Sequence, residues 1–229
     1  SPTYTVDLAE FLVKLIASDK YGTYHATNEG FCSWYEFASE IFKNGALPFM
    51  AVGSLPPDVA ENMLSSVKKD LSGFGAGMIG VPAFNKYLAE HMEIVKKNKI
   101  PFALFAAGNP SLIKELDASG TKAYLHTPSV AMLTNAITAG CRRFIFEGTE
   151  AGGHVGNLSS MVLWELALET VNSQPDSTVK ELRLLFAGGI GTSQASHFIS
   201  GMASSTAEKG CGIGVQVSTS YLFTSEIVE

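Results

Sequence analysis

The sequence predicts an α/β fold in which parallel strands and helices alternate and close into a (β/α)8 barrel. Three observations predict it. From residue 46 onward, short apolar runs alternate with segments whose apolar residues recur at helical spacing. Several of the runs break into glycine at their C-terminal ends. Seven strands are visible after residue 45, and Tyr21–Ala26 supplies the eighth that a barrel needs.

Taken in order, Val6–Ala17 reads as an amphipathic helix carrying Leu8, Phe11, Leu12 and Leu15. In a closed barrel it fills the outer space normally covered by the last helix, because the chain stops soon after its eighth strand. Tyr21–Ala26 is the first strand. A helix follows from about Ser33 to Lys43, with Trp34, Phe37, Ala38, Ile41 and Phe42 on its apolar side and Asn44-Gly45 to end it. Ala46–Val52 is a buried strand with Pro48 near its start, where a missing N–H is tolerated. Pro56-Pro57-Asp58 opens the next helix, with Val59, Met63, Leu64 and Val67 on one face.

The unit then repeats. Phe74–Gly80 is a strand before a helix bearing Phe84, Tyr87, Leu88, Met92 and Val95. Phe102–Ala106 precedes Leu112, Ile113 and Leu116, and that helix stops at Gly120. Lys122–His126 leads through the N-cap candidate Ser129 to Val130, Leu133, Ala136 and Ile137. Arg143–Phe146 precedes a helix capped by Ser159 or Ser160, and Leu182–Ala187 precedes one with Ala195, Phe198, Ile199 and Met202. Gly212–Val217 is the last strand. Continuous apolar strands imply parallel βα units covered on both faces. An open doubly wound sheet shares this local pattern, and strand count is what favours the barrel.

At 229 residues, 46% hydrophobic and with 22 glycines, the chain has the makings of one compact domain. A formal charge of -6 and the lack of a basic stripe exclude a nucleic-acid binder. No apolar run reaches the length of a membrane span, and the start lacks a signal peptide's basic and apolar regions. Cys32, Cys141 and Cys211 are odd in number and lack zinc-type spacing, so the expectation is a cytoplasmic protein with buried, inert thiols and no metal site.

The chemistry-bearing run is Phe146-Glu147-Gly148-Thr149-Glu150-Ala151-Gly152-Gly153-His154-Val155-Gly156, where a strand gives way to two carboxylates, four glycines and an imidazole. His154 is the candidate proton-transfer residue or polar anchor, since imidazole exchanges protons near neutral pH. Glu147 ends an apolar strand, where an unpaired carboxylate is expensive; it accepts either a cofactor N–H or local backbone. Glu150 reads as an exposed turn residue. His126 reads first as a structural histidine and, in the alternative, as a second histidine on the rim of His154. Gly188 and Gly189 end another strand and serve either a tight loop or a phosphate. The glycines at Gly75, Gly77 and Gly80 fall inside a strand rather than after one, so a nicotinamide-binding Rossmann reading is rejected.

From about Asn44 to Glu226 the chain resembles the nitronate monooxygenase, or 2-nitropropane dioxygenase-like, family of flavin-dependent barrels, in particular the branch near polyketide and polyunsaturated fatty-acid synthases that includes enoyl reductases. Glu147–Gly156, Ala187–Gly191 and Ser218–Thr224 carry the likeness, extended by Pro101–Phe105 and Tyr124–Ser129. The resemblance implies a TIM-type barrel with FMN at the C-terminal strand ends, and NADH or NADPH as reductant for an enoyl substrate. It places Gly152 and Gly153 in the pocket wall and His154 toward flavin or substrate. Gly188, Gly189, Ser218 and Thr219 fall at the phosphate, Gly75 beside the flavin ring and Glu147 among the cofactor contacts. Ser218 departs from the family's glycine and adds a side chain there.

Residues 1 to about 43 instead resemble the C-terminal region of dTDP-4-dehydrorhamnose reductase-like proteins, on Pro2–Ala9, Tyr21–Gly30 and Cys32–Ala38. The expectation is thus a single barrel domain over 1–229, made of a reductase-like segment (1–43) and a flavin-barrel segment (44–229). Its expected function is an FMN-dependent oxidoreductase for a nitronate or an enoyl thioester. The alternatives are a catalytically silent, chimeric scaffold and, behind it, a sugar-nucleotide reductase fragment. Expected partners are a small-molecule or acyl-thioester substrate and either a second copy of the chain or a synthase.

Overall fold

The structure, a computed structural model, describes residues 5–20, 33–150 and 156–218. Its elements begin with α1 (Thr5–Ile16), α2 (Trp34–Lys43), β1 (Phe49–Ala51), α3 (Pro57–Lys68), β2 (Gly75–Met78), α4 (Leu88–Lys97), β3 (Phe102–Phe105) and α5 (Pro110–Ala118). They continue through β4 (Lys122–His126), α6 (Val130–Thr138), β5 (Arg143–Glu147), α7 (Ser160–Asn172) and α8 (Asp176–Val179). The last are β6 (Arg183–Ala187), α9 (Ser193–Met202), α10 (Ser204–Glu208) and β7 (Gly212–Val215). The short helices α8 and α10 have no counterpart in the sequence reading, being too brief to show a period.

The seven strands form one curled parallel sheet in the order β1-β2-β3-β4-β5-β6-β7. A doubly wound sheet reverses its strand order at a switch point, and this one does not. Right-handed crossovers between consecutive neighbours put every connecting helix on the same face, which is the winding of a barrel. The mixed α/β barrel-type architecture thus agrees with the sequence. The eighth strand expected at Tyr21–Ala26, and its pairing with β1 and β7, lie outside the described residues.

Strand parity separates the two faces. Met78, Phe105, Leu125, Phe144, Phe146, Leu184 and Phe186 point toward the helices and are buried against Leu64, Ile113, Leu116, Leu133, Leu163 and Trp164. Trp164 stands edge-on to Phe186 at 6.0 Å between centroids, and Phe186 lies 5.6 Å from Phe146. The inner face is less completely covered: Leu104, Tyr124 and Leu185 are half-buried and Ala51 is exposed. The expectation of strands covered on both faces therefore holds for the helix side, while the inner side is partly open among the described residues.

The helix starts show why these segments fold locally. Ser33 and Glu36 form a reciprocal capping box on α2, with Ser33 N–H donating to Glu36 Oε2 at 2.7 Å and Glu36 N–H to Ser33 Oγ at 3.2 Å. The bond from the Ser33 backbone, then that from its hydroxyl, holds the Glu36 carboxyl below its ordinary range. Helix α2 ends at Asn44 followed by left-handed Gly45 (φ 80°), as its sequence predicts. It packs onto α3 and β1 through buried Ala38 and the Phe42 ring, which lies over Gly73, while Tyr35 Oη donates to Asp70 Oδ2 at 2.9 Å.

Helix α1 leaves Val13 and Ile16, which lie off its expected apolar stripe, 68% and 82% exposed. A cleft of about 300 Å³ opens between α9, α10 and β7, lined by Ile199, Ala207, Ile213 and Val215. Phe84 precedes α4 instead of lying on it, and on α9 Phe198 faces outward while Ile199 is buried. Neighbouring helical positions differ by about 100°, so a one-residue error in phase is enough to exchange them.

Truncating the aromatic centre checks this packing. Phe186→Ala should cost about 3–5 kcal/mol, read from the midpoint of denaturant unfolding. A loss below about 1 kcal/mol would mean that Phe186 is not packed as described.

Candidate active site at the strand ends

The parallel register brings the C-terminal ends of β4 and β5 together with their inward residues on one side. His126 pairs with Ile145 across the ladder, and Glu147 is the next inward residue of β5. The result is a direct contact, His126 Nε2 to Glu147 Oε2 at 2.7 Å, with the side chains 11% and 15% exposed. Beyond His126 the strand turns away at Thr127, whose N–H and Oγ1 both donate to Ile145 O, at 2.8 and 3.2 Å. Ser129 Oγ then caps α6 by accepting from Met132 N–H at 3.3 Å.

Glu147 is thus engaged by an imidazole rather than by backbone alone, and His126 is a member of the rim. His126 stands one layer above Tyr124 and Glu147 two; burial pushes the Tyr124 phenol pKa up, partly offset by Arg143 and Arg183.

A second cluster ties the loop after β5 to α7. Gly148 N–H donates to Ser160 Oγ at 2.9 Å, and Ser160 N–H and Oγ–H both donate to Glu150 Oε2 at 2.8 Å. The sequence suggests a serine cap for α7. Ser159 occupies the N-cap position without a side-chain bond, and the Glu150 carboxylate takes over the task at Ser160 N–H. Glu150, expected to be only an exposed turn residue, is exposed and engaged. Burial disfavours its charge, but the hydrogen bonds from backbone N–H groups and the Ser160 hydroxyl outweigh this and hold it below the usual carboxylate range.

Gly188 closes the same knot from β6: its φ is 98°, and an added Cβ would collide with Ser160 Oγ. Packing alone therefore explains this glycine. Gly189 differs, with φ 69° and, among the described residues, no atom within 4 Å of where a Cβ would stand. Continuing the β6–β7 ladder, Gln216 N–H donates to Phe186 O at 2.8 Å. This sets Gln216 beside Ala187, in the row that contains Glu147. Its Oε1 is buried and has no hydrogen-bond partner among the described residues. Sequence reasoning passed over Gln216, although one polar residue at inward parity within Gly212–Val217 was the available signal.

The other expected site residues divide. Ser218 is exposed just past β7. Gly75 lies at the opposite, N-terminal end of β2, and the space above it is filled by the Phe49 ring. Its glycine makes room for a side chain, and the structure does not bring it to the rim. Gly152, Gly153, His154 and Thr219 lie outside the described residues. The placed flanks of the first three are Glu150, held on Ser160, and Gly156, packed so closely on Pro128 O that a Cβ would not fit.

The remaining reactive groups have structural duties. His91 Nε2 lies 2.9 Å from Leu55 O and its Nδ1 lies 3.3 Å from Asn85 Nδ2, so the ring donates to the carbonyl and accepts from the amide. Burial pushes the Cys141 thiol up and that of Cys211 to about 11, which keeps both protonated at neutral pH. Among the described residues no group of His, Cys, Asp or Glu could hold a metal ion.

The Glu150 contact gives a signed pH dependence. A carboxyl whose pKa is lowered on folding stabilises the fold fully above its unfolded value, about 4.3, and loses that contribution as pH falls through the folded value. Glu150→Gln should therefore be less stable than the wild type at neutral pH, and the gap in thermal midpoint should close in acid. A gap that is constant from neutral pH down to about 3 would show that the charge plays no part.

Comparison with known proteins follows the division of the sequence. Residues 1–57 match the RmlD substrate binding domain, and residues 75–228 match nitronate monooxygenase. Over 47 residues, 20% of this chain and 16% of the relative, the chain is 55% identical to the spore coat polysaccharide biosynthesis protein SpsK of Bacillus subtilis. Among solved structures, a FabK variant from Thermotoga maritima superposes with a TM-score of 0.66 at 23% identity, over 84% of this chain and 59% of that one. Nitroalkane oxidase from Streptomyces ansochromogenes gives 0.63 at 17% identity, over 84% and 63%. The enoyl reductase domain of MlnA from Bacillus amyloliquefaciens gives 0.58 at 15%, over 80% and 50%. At such identities the three share the fold, and the chain spans less than two thirds of each. A parallel sheet wound in sequence order, a polar rim at its strand ends and a family match over residues 75–228 converge: the chain belongs to the nitronate monooxygenase family.

Proposed function

We propose that this chain is an FMN-dependent oxidoreductase acting on a nitronate or an enoyl thioester. The observation that carries it is the row of inward polar groups at the C-terminal rim, above all the buried Gln216 Oε1, which has no donor among the described residues. An unpartnered buried acceptor costs about 1–3 kcal/mol, and a flat ring edge with an N–H would satisfy it. Gly189 backbone and Ser218 would hold a phosphate. His154 would position substrate or move a proton, with Gly152, Gly153 and Thr219 completing the wall as the family likeness implies. Bound FMN would supply the two-electron chemistry, with NADH or NADPH as reductant in the enoyl case. The solved relatives include a nitroalkane oxidase and an enoyl reductase domain, which supports both substrate classes.

A silent scaffold is the second reading, and one observation favours it. The nitronate monooxygenase match starts at residue 75, after β1 and α3, while the RmlD match runs to residue 57. The first part of the barrel therefore stands outside the family match.

Flavin binding separates the two. The purified protein should carry, or take up on titration, FMN with its visible absorbance bands; no uptake at high micromolar FMN sinks the enzymatic reading. Gln216→Ala should weaken FMN about tenfold, the worth of one hydrogen bond, measured by the same titration. His154→Ala should lower turnover, with a nitronate or with reduced nicotinamide plus enoyl thioester under anaerobic mixing, by about 100-fold while FMN affinity stays near wild type. Unchanged turnover would remove His154 from the chemistry.

A further inference from the structure

The His126–Glu147 pair stands on the inner face of the sheet, apart from the helix-side core. The helix-side core is built from apolar side chains throughout, and a well-packed apolar pair generally stabilises as much as a buried ionic one. The pair sits at the C-terminal ends of two adjacent barrel strands, the end that carries catalytic groups in such folds. Its geometry fixes which ring nitrogen faces the carboxylate. The Glu147 carboxylate can only accept, so Nε2 carries the hydrogen. In the neutral ring Nδ1 is then the proton acceptor, and no hydrogen bond to it is made among the described residues. Both side chains keep some exposure, 11% and 15%.

We propose that His126, oriented by Glu147, is a proton-transfer residue for a carbon acid bound at this rim, distinct from His154. The substrate class rests on the flavin-barrel reading; the proton transfer itself does not need flavin. With a nitroalkane the step balances without a redox partner. The C–H bond breaks, its electron pair moves into the nitro group to give the nitronate, and the proton goes to His126 Nδ1. The Nε2–H stays on Glu147, whose charge faces the imidazolium, and water later removes the proton from Nδ1. Glu147 acts only through His126 and is a positioning residue.

The test uses the flavin-free protein and nitroethane, following deuterium uptake at the carbon next to the nitro group. Wild-type protein should accelerate exchange over buffer, and His126→Gln should lower that acceleration by about 100-fold. Glu147→Gln, nearly isosteric, should lower it by about 10-fold or more because the ring loses its fixed tautomer, with both variants shown to be folded by a cooperative thermal transition. Exchange no faster than buffer, exchange undiminished in His126→Gln, or exchange lost in His154→Gln but kept in His126→Gln would each overturn the proposal. FMN titration is read separately, so a protein that binds no flavin yet exchanges nitroethane through His126 would sink the enzymatic reading and leave this one standing.

Discussion

Uninterrupted parallel pairing from β1 to β7 is the constraint on which the rest depends. Each strand alternates its side chains between two faces, so the register decides at once which residues enter the helix-side core and which line the inside. It puts Phe144 and Phe146 against α7 and sends Ile145 and Glu147 inward. It makes His126 and Glu147 neighbours although 20 positions of chain separate them. A slip of one residue in β5 would bury a carboxylate among phenylalanines and expose two of them inside, which is why the register has no close competitor.

The second organising device is Ser160, where three segments meet. Its backbone and hydroxyl donate to Glu150, its hydroxyl accepts from Gly148, and its Oγ occupies the space that a side chain on residue 188 would need. The carboxylate also meets the N-terminal N–H groups of α7, where the helix dipole favours negative charge. The end of β5 and Gly188 of the β6 end are thereby tied to the start of α7.

The N-terminal part shows that a family match and a packing role are separate matters. Helix α2 belongs to the stretch matching the RmlD substrate binding domain, yet it packs on α3 and β1 as an ordinary barrel helix does. An amphipathic helix needs only an apolar stripe of suitable width and a small-residue contact, and Ala38, Phe42 and Gly73 supply both. A cofactor pocket is more demanding, because it needs particular atoms at particular places. Packing a helix onto a core is therefore a looser requirement than completing a site.

The alternation of strands and helices, the α2 ending at Asn44-Gly45 and the inert cysteines were legible because each follows from local properties: period, turn chemistry and side-chain polarity. Glu147 was legible as a carboxylate in need of a partner, since its strand is otherwise apolar. Its partner was not legible, because nothing near it in the chain names His126. Likewise Glu150 looked like a solvated turn residue until Ser160 was brought beside it, and Gly75 looked like a ligand contact until the Phe49 ring was found above it. Sequence by itself determined which segments become strands and helices and where the chain breaks into glycine, since those follow from interactions a few residues apart. Tertiary structure alone decided which polar groups meet, because cross-strand register and helix docking join residues that no local pattern connects.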